Sequence, residues 1–337
     1  MRRILFYSSV TDKSLFDTQQ FYKIDINILT GLGYEVIPTN KLSDFFCFWK
    51  YDLAFLYFYR FSLFAAILSR LFNKKVFFTG GIDDLEKNYC SRRRYLVQVV
   101  FFKLCYFFAT NCFIVSNADM SNIHKIFRYG KRRKLILSFH SIESLYFNNH
   151  TVSKKDENFV TICWMGSVEN VIRKGVDKSI EVFSQLNKTP QFSNSNLYII
   201  GSLGKGTEYL NTVIRKCKIE GKVLFLGNID NENKIGVLSK NRYYLQLSKY
   251  EGFGIAALEA LALENVVIHS GKGGLSDSVS KYGLQIDISQ NDKLISQKII
   301  EQVSSFNNIN FSLSKEYLKK NFSMKTRSGL LKEHIEK

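Results

Sequence analysis

The 337-residue chain has only 2 prolines and a modest 20 glycines, and its apolar content is ordinary, so a disordered, collagen-like or low-complexity chain is excluded. It has no Cys-x-x-Cys pair. Its six cysteines, at 47, 90, 105, 112, 163 and 217, lie mostly in apolar runs such as Phe46-Cys47-Phe48, and read as small buried hydrophobes in a reducing compartment rather than a metal or redox site. Long hydrophobic runs are missing too. The longest, Tyr95–Phe108, has 14 residues and includes Lys103, too few to span a bilayer, and the apolar stretch Ile4–Val10 after Arg2-Arg3 is too short for a signal-peptide core. These absences point to a cytoplasmic protein that meets a membrane only peripherally. Acids are scarce as well: 30 Asp+Glu face 47 Lys+Arg, a formal charge of +17.

What is abundant is unevenly placed. Residues 1–150 carry a net +10 and 33 of the 49 aromatics, whereas 151–337 carry +7 and 16. A basic, aromatic-rich half suits nucleic acid, a nucleotide-like substrate or an anionic membrane surface. Length alone suggests two domains. In the first half, strand-like runs at Ile4–Ser8, Tyr34–Ile37, Leu53–Tyr57, Lys75–Thr79, Cys112–Val115 and Lys134–Leu137 alternate with helical ones. In the second, runs at Phe159–Met165, Leu197–Gly201, Val223–Leu226, Tyr243–Leu247 and Val266–His269 do the same. Such alternation predicts an α/β chain of two doubly wound parallel sheets, with ligands bound at the carboxyl ends of the strands. The polar stretch between the halves places domains at 1–148 and 159–320, a linker at 149–158 and a final helix over 321–337.

The segment from Ser248 to Leu261 carries the chemistry. Gly252 and Gly254 stand just before a predicted helix, where the backbone can approach a ligand and helix amides can face an anion. At about 100° per residue, Glu259 falls on the apolar side of that helix. A carboxylate there needs hydrogen-bond donors, and a vicinal diol would satisfy both of its oxygens. Seven residues separate Glu251 from Glu259, within Glu-Gly-Phe-Gly-Ile-Ala-Ala-Leu-Glu-Ala. This resembles the Glu-x7-Glu signature of the retaining family 4 (group 1) glycosyltransferases of the GT-B fold. The resemblance extends over nearly all of 159–337. It takes in Met165-Gly166, Arg173-Lys174-Gly175, Leu197–Gly201 with Ser202, Phe225-Leu226-Gly227, Ser248 and Gly273-Gly274.

The resemblance implies two Rossmann-like domains facing across a deep cleft, with a nucleotide diphosphate sugar as donor substrate and no cofactor. It implies that Glu251 and the amides around Gly252, Phe253, Gly254 and Ile255 hold the donor sugar, that Lys174 contacts the diphosphate, and that Glu259 binds the ribose. The loops with Ser202 and with Gly227 and Asn228 would line the base. Many members have an Arg directly after the glycine equivalent to Gly166. This chain has Ser167 there, with Arg173 as the substitute beside Lys174. The usual acceptor-side His is also missing, since no His precedes His124; the loop Phe78–Asp84 stands in its place, and Asp83 reads as either a sugar contact or a helix-capping turn residue.

No Asp-x-Asp motif occurs, in line with metal-independent transfer. The implied reaction moves a hexose-type sugar with retention to a hydroxyl of a lipid-linked glycan, in surface polysaccharide, O-antigen or lipopolysaccharide biosynthesis. Arg92-Arg93-Arg94 before Tyr95–Phe108, the group Tyr57–Phe64 with Arg70, Lys74 and Lys75, and the patch Lys131–Lys134 suit an anionic lipid surface on the inner face of the cytoplasmic membrane. The competing classes are a basic nucleic-acid binder that stacks bases on its aromatics, and another GT-B nucleotide-sugar enzyme such as an epimerase.

Overall fold

The computed structural model describes residues 1–127, 133–148, 154–306 and 311–337. The chain divides into two compact units, Met1–Glu143 with Lys320–Lys337, and Ser144–Lys319. In the N-terminal unit, strands β1 (Arg3–Tyr7), β2 (Glu35–Thr39), β3 (Leu53–Tyr57), β4 (Lys75–Thr79), β5 (Asn111–Ile114) and β6 (Leu135–Leu137) form one sheet in the order β2-β1-β3-β4-β5-β6. All pairings are parallel. The strands read as nearly continuous apolar runs because both faces are covered. Leu5, Tyr7, Ala54, Leu56 and Phe78 enter the core on one side, while Ile4, Phe6, Phe55, Tyr57 and Phe77 enter the core on the other. Much of the aromatic excess is spent here: Phe6 stacks on Phe55 at 5.6 Å and Phe55 on Phe113 at 6.2 Å.

The C-terminal helix Met324–Glu336 belongs to this unit. Its Leu331 and Ile335 join the core, and the fully buried Arg327 closes a polar network. Arg327 grips Asp25 through Nε at 2.6 Å and Nη2 at 2.7 Å, and donates to the carbonyls of Ser138 and Phe139 and to Thr79 Oγ1. Tyr57 donates to the same Asp25 carboxylate at 2.5 Å.

The C-terminal unit holds β7 (Asp156–Ile162), β8 (Leu197–Ile200), β9 (Val223–Gly227), β10 (Asn241–Gln246), β11 (Val266–His269) and β12 (Leu284–Gln285), in the order β12-β11-β10-β7-β8-β9. Every pairing is parallel. The strand order reverses between β7 and β10, and in sheets of this kind ligands bind at the carboxyl ends of the strands beside such a reversal.

Two sequence expectations need revising. Of the predicted linker 149–158, residues 149–153 lie outside the described residues, but Asp156–Asn158 are strand β7. That stretch is polar because its polar groups are used. Lys155 Nζ donates to the carbonyl of Leu263 at 2.7 Å and to that of Leu238 at 3.2 Å, and Glu157 accepts from Arg242 and Tyr243. Of the basic patch 131–134, Lys131 and Arg132 lie outside the described residues. Lys134 points inward, donating to the carbonyls of Tyr106, Phe107 and Ala109 at the end of a helix, where a cation offsets the helix dipole.

Candidate active site

The segments that follow β7 and β10 carry most of the residues singled out above. After β7 the chain turns through Met165, Gly166 and Ser167 into the helix Val168–Arg173, which Ser167 caps by accepting from the Asn170 amide. Asn170 in turn holds Arg173, accepting from its Nη2 at 2.8 Å. Gly175 follows with φ +64, and a Cβ there would stand 1.9 Å from the carbonyl oxygen of Leu247. Only glycine lets the Arg173-Lys174-Gly175 turn lie this close to the loop after β10. The Lys249 amide donates to the Arg173 carbonyl and ties the two loops together.

Lys174 Nζ then meets Glu251 Oε2 at 2.5 Å. Glu251 is buried, and burial alone would raise its carboxyl. The charges of Lys174 and Arg173, with hydrogen bonds from Lys174 and Ser248, hold it below the usual carboxylate range. Behind the pair runs a buried relay: Tyr244 donates to Gln246, Gln246 to Ser248, and Ser248 to the Lys174 carbonyl. The relay orients Ser248 and fixes the floor of the site. The loop Gly252-Phe253-Gly254 leads into the helix Ile255–Ala262, with Phe253 buried and Gly254 at φ +91. It is locked from above by the loop after β11, where the Gly274 amide donates to the Glu251 carbonyl at 2.7 Å and a Cβ on Gly273 would fall 2.1 Å from that same oxygen.

Glu259 is buried on the inner face of its helix. Its Oε2 is already engaged by Lys234 Nζ at 2.8 Å, and the ammonium also lies 5.4 Å above the ring of Tyr146, whose hydroxyl donates to Asn231. Sequence reasoning missed Lys234. It sits 25 positions before Glu259, on a helix that looks solvated, and no local spacing connects the two. After β8, the Ser202 carbonyl accepts from the Met165 amide, and at the end of β9, Gly227 at φ +70 and the following exposed Asn228 leave the strand end open. Asp83 belongs to the N-terminal unit, where it opens the short turn Asp83–Leu85; the adjacent Ile82 amide donates to the buried Asp119. The C-terminal unit thus offers a buried carboxylate beside an ammonium, and a second carboxylate with its own cation. Glycine-lined backbone faces the pair, a set able to hold an anion and a polyhydroxylic group together.

Residues 147–308 match the family described as glycosyl transferases group 1. A putative glycosyltransferase of Sulfolobus islandicus filamentous virus is 24% identical over 169 residues, 43% of this chain and 48% of that one, so the chain spans about half the length of this curated relative. Among solved structures, Anabaena HepE in complex with UDP and glucose is 16% identical with a TM-score of 0.76 over 100% of both chains. Sucrose-phosphate synthase from Thermosynechococcus elongatus is 15% identical with a TM-score of 0.80 over 100% of this chain and 98% of that one. The family match falls within the C-terminal unit, and the likeness over the whole chain shows the GT-B fold.

Proposed function

We propose that the protein is a retaining glycosyltransferase that moves a hexose-type sugar from a nucleotide diphosphate to a hydroxyl of a lipid-linked glycan in surface polysaccharide synthesis. The observation that carries this reading is the Lys174–Glu251 pair at the point where the strand order reverses. Breaking the bond between the anomeric carbon and the diphosphate develops negative charge on the leaving group. Lys174, Arg173 and the helix amides after Gly254 supply fixed positive charge where that develops. Lys174 exchanges Glu251 for the diphosphate, and the freed carboxylate accepts from sugar hydroxyls.

Glu259 takes the ribose, and Gly166 with Ser167 approach the phosphates. Ser202, Gly227 and Asn228 border the base. Because Lys234 already occupies Oε2 of Glu259, the ribose subsite is a carboxylate–ammonium pair that both accepts from and donates to the diol. The leaving phosphate takes the proton of the acceptor hydroxyl on the same face, so no protein nucleophile and no metal is needed. Asp83 contacts the acceptor or the sugar in the place of the missing His. The complexes of HepE with UDP and with UDP-glucose support a nucleotide-sugar partner.

Thermal-shift screening against a panel of nucleotide sugars tests this reading, since a ligand that binds only the folded state raises the melting temperature. One donor is expected to raise it, and Glu251→Ala and Lys174→Ala to abolish the rise. No shift with any nucleotide or nucleotide sugar would overturn it.

A further inference from the structure

We propose that one face of the N-terminal unit docks onto an anionic lipid bilayer, with Phe64, Phe107 and Trp49 as its apolar anchors. The helix Arg92–Phe108 is apolar on two opposite sides. Gln98, Phe102, Cys105 and Tyr106, at i, i+4, i+7 and i+8, face the core. Leu96, Val100, Leu104 and Phe107, at i, i+4, i+8 and i+11, form a second stripe that the fold leaves exposed, with Phe107 at 72%. An ordinary surface helix keeps only one such stripe.

Neighbouring segments add further exposed apolar side chains beside the stripe. Arg60 lies over Phe61 at 5.4 Å and over Phe101 of the helix at 6.0 Å, and Arg70 Nε donates to the Phe108 carbonyl at 2.6 Å. These contacts join the helix Leu63–Leu71, which exposes Phe64 at 63% and Leu71 at 73%. Beyond it, Phe48 stacks on Phe72 at 4.4 Å and carries Trp49, 61% exposed, at its side.

Charge selects the occupant. No acid occurs between Asp52 and Asp83 or between Glu86 and Asp119, while those two stretches hold nine Lys and Arg, among them the exposed Arg60, Arg92, Arg93 and Lys103. The bordering acids are engaged: Asp44 accepts from Thr39, Asp52 from Arg3, and Asp84 pairs with Arg94 at 3.0 Å. A second copy of the chain would bring the same cations face to face. A nucleic acid would gain little from the aliphatic Leu71, Leu96, Val100 and Leu104, which offer no stacking plane. Exposed aromatic and aliphatic anchors on segments that carry Lys and Arg without acids match the headgroup region of an anionic bilayer. No described helix is long and apolar enough to cross a membrane, so the contact is interfacial. The inference rests on the N-terminal unit alone, and its outcome is read separately from donor binding.

The full chain is sedimented with phosphatidylcholine vesicles, with and without phosphatidylglycerol, at low and high salt. Binding is expected only with phosphatidylglycerol and is expected to weaken with salt. Arg92→Gln/Arg93→Gln should weaken it about fivefold per cation, and Phe64→Glu/Phe107→Glu should abolish it. All four side chains are exposed, so an unchanged circular dichroism spectrum and unchanged donor binding show that the variants fold. The proposal is overturned if the protein stays in solution at low salt, or if Phe64→Glu/Phe107→Glu binds vesicles as well as the wild type. It is also overturned if, without vesicle binding, that variant splits a dimer seen by light scattering or loses affinity for an oligonucleotide.

Discussion

Lys234 and Glu259 show how much one buried pair can hide. The Glu259 side chain is 3% exposed and that of Lys234 13%, so each has given up most of its water and depends on the other. Removing one partner leaves a buried charge without compensation. Lys234→Met is therefore expected to cost about 3–5 kcal/mol in a urea titration, and the double change Lys234→Met/Glu259→Leu to recover most of that loss. A loss no greater than that of an exposed lysine would mean that the pair is solvated. At the same scale, the residues of the Glu-x7-Glu segment were legible because loop glycines and a carboxylate on an apolar helix face are both local violations of pattern. Lys234 was not, because a lysine on a polar helix violates nothing.

Among elements, the loops after β10 and β11 depend on each other more than on their own sequences. Gly273 holds φ +65 with no room for a side chain, since its Cβ would sit 2.1 Å from the Glu251 carbonyl. Gly273→Ala is expected to push back the loop that carries Glu251. Transfer should slow on the order of a hundredfold, as for a misplacement of about 1 Å, with a stability loss above about 1 kcal/mol from the forbidden φ. Kinetics on the purified variant beside its melting curve checks both, and a normal rate would show that the two loops move independently. Five of the six strands of this unit were readable from apolar runs and their spacing, whereas β12, only two residues long, was not. The boundary at 149–158 was not, because polar residues that bond inside a strand end look the same in a sequence as polar residues of a linker.

At the scale of the molecule, each unit buries one histidine among the described residues. Burial, helped by the nearby Arg327 charge, pushes the His140 imidazole down to about 3, and burial pushes His269 down to about 4. Both values lie below the ordinary 6.5, so on acidification the unfolded chain takes up protons that the folded units refuse. Stability contributed by these groups is present above pH 6.5 and falls as pH drops toward 4. By pH 5 each histidine should have cost about 2 kcal/mol relative to neutral pH. His269→Asn, whose amide oxygen can accept from the Gly271 amide as the ring Nδ1 does, should flatten the pH dependence of melting between pH 6.5 and 4.5. An unchanged slope would show that His269 is protonated in the folded unit. The Arg327–Asp25 network binds the ends of the chain at this scale too, with partners 302 positions apart that no sequence window could connect.

By itself the sequence determined that the chain is α/β with two doubly wound halves, because the alternation of apolar runs and helical spacing is set by burial within each element. It also marked the segment of the second half on which the candidate site is built, through the two glutamates and the glycines before a helix. Only the tertiary structure decided which cation meets which carboxylate: Lys174 with Glu251, Lys234 with Glu259, Arg327 with Asp25. It decided as well which of the two apolar stripes of Arg92–Phe108 is core. Both are outcomes of packing between segments far apart in the chain, where the energy of a charge or an exposed ring depends on neighbours that no local pattern specifies.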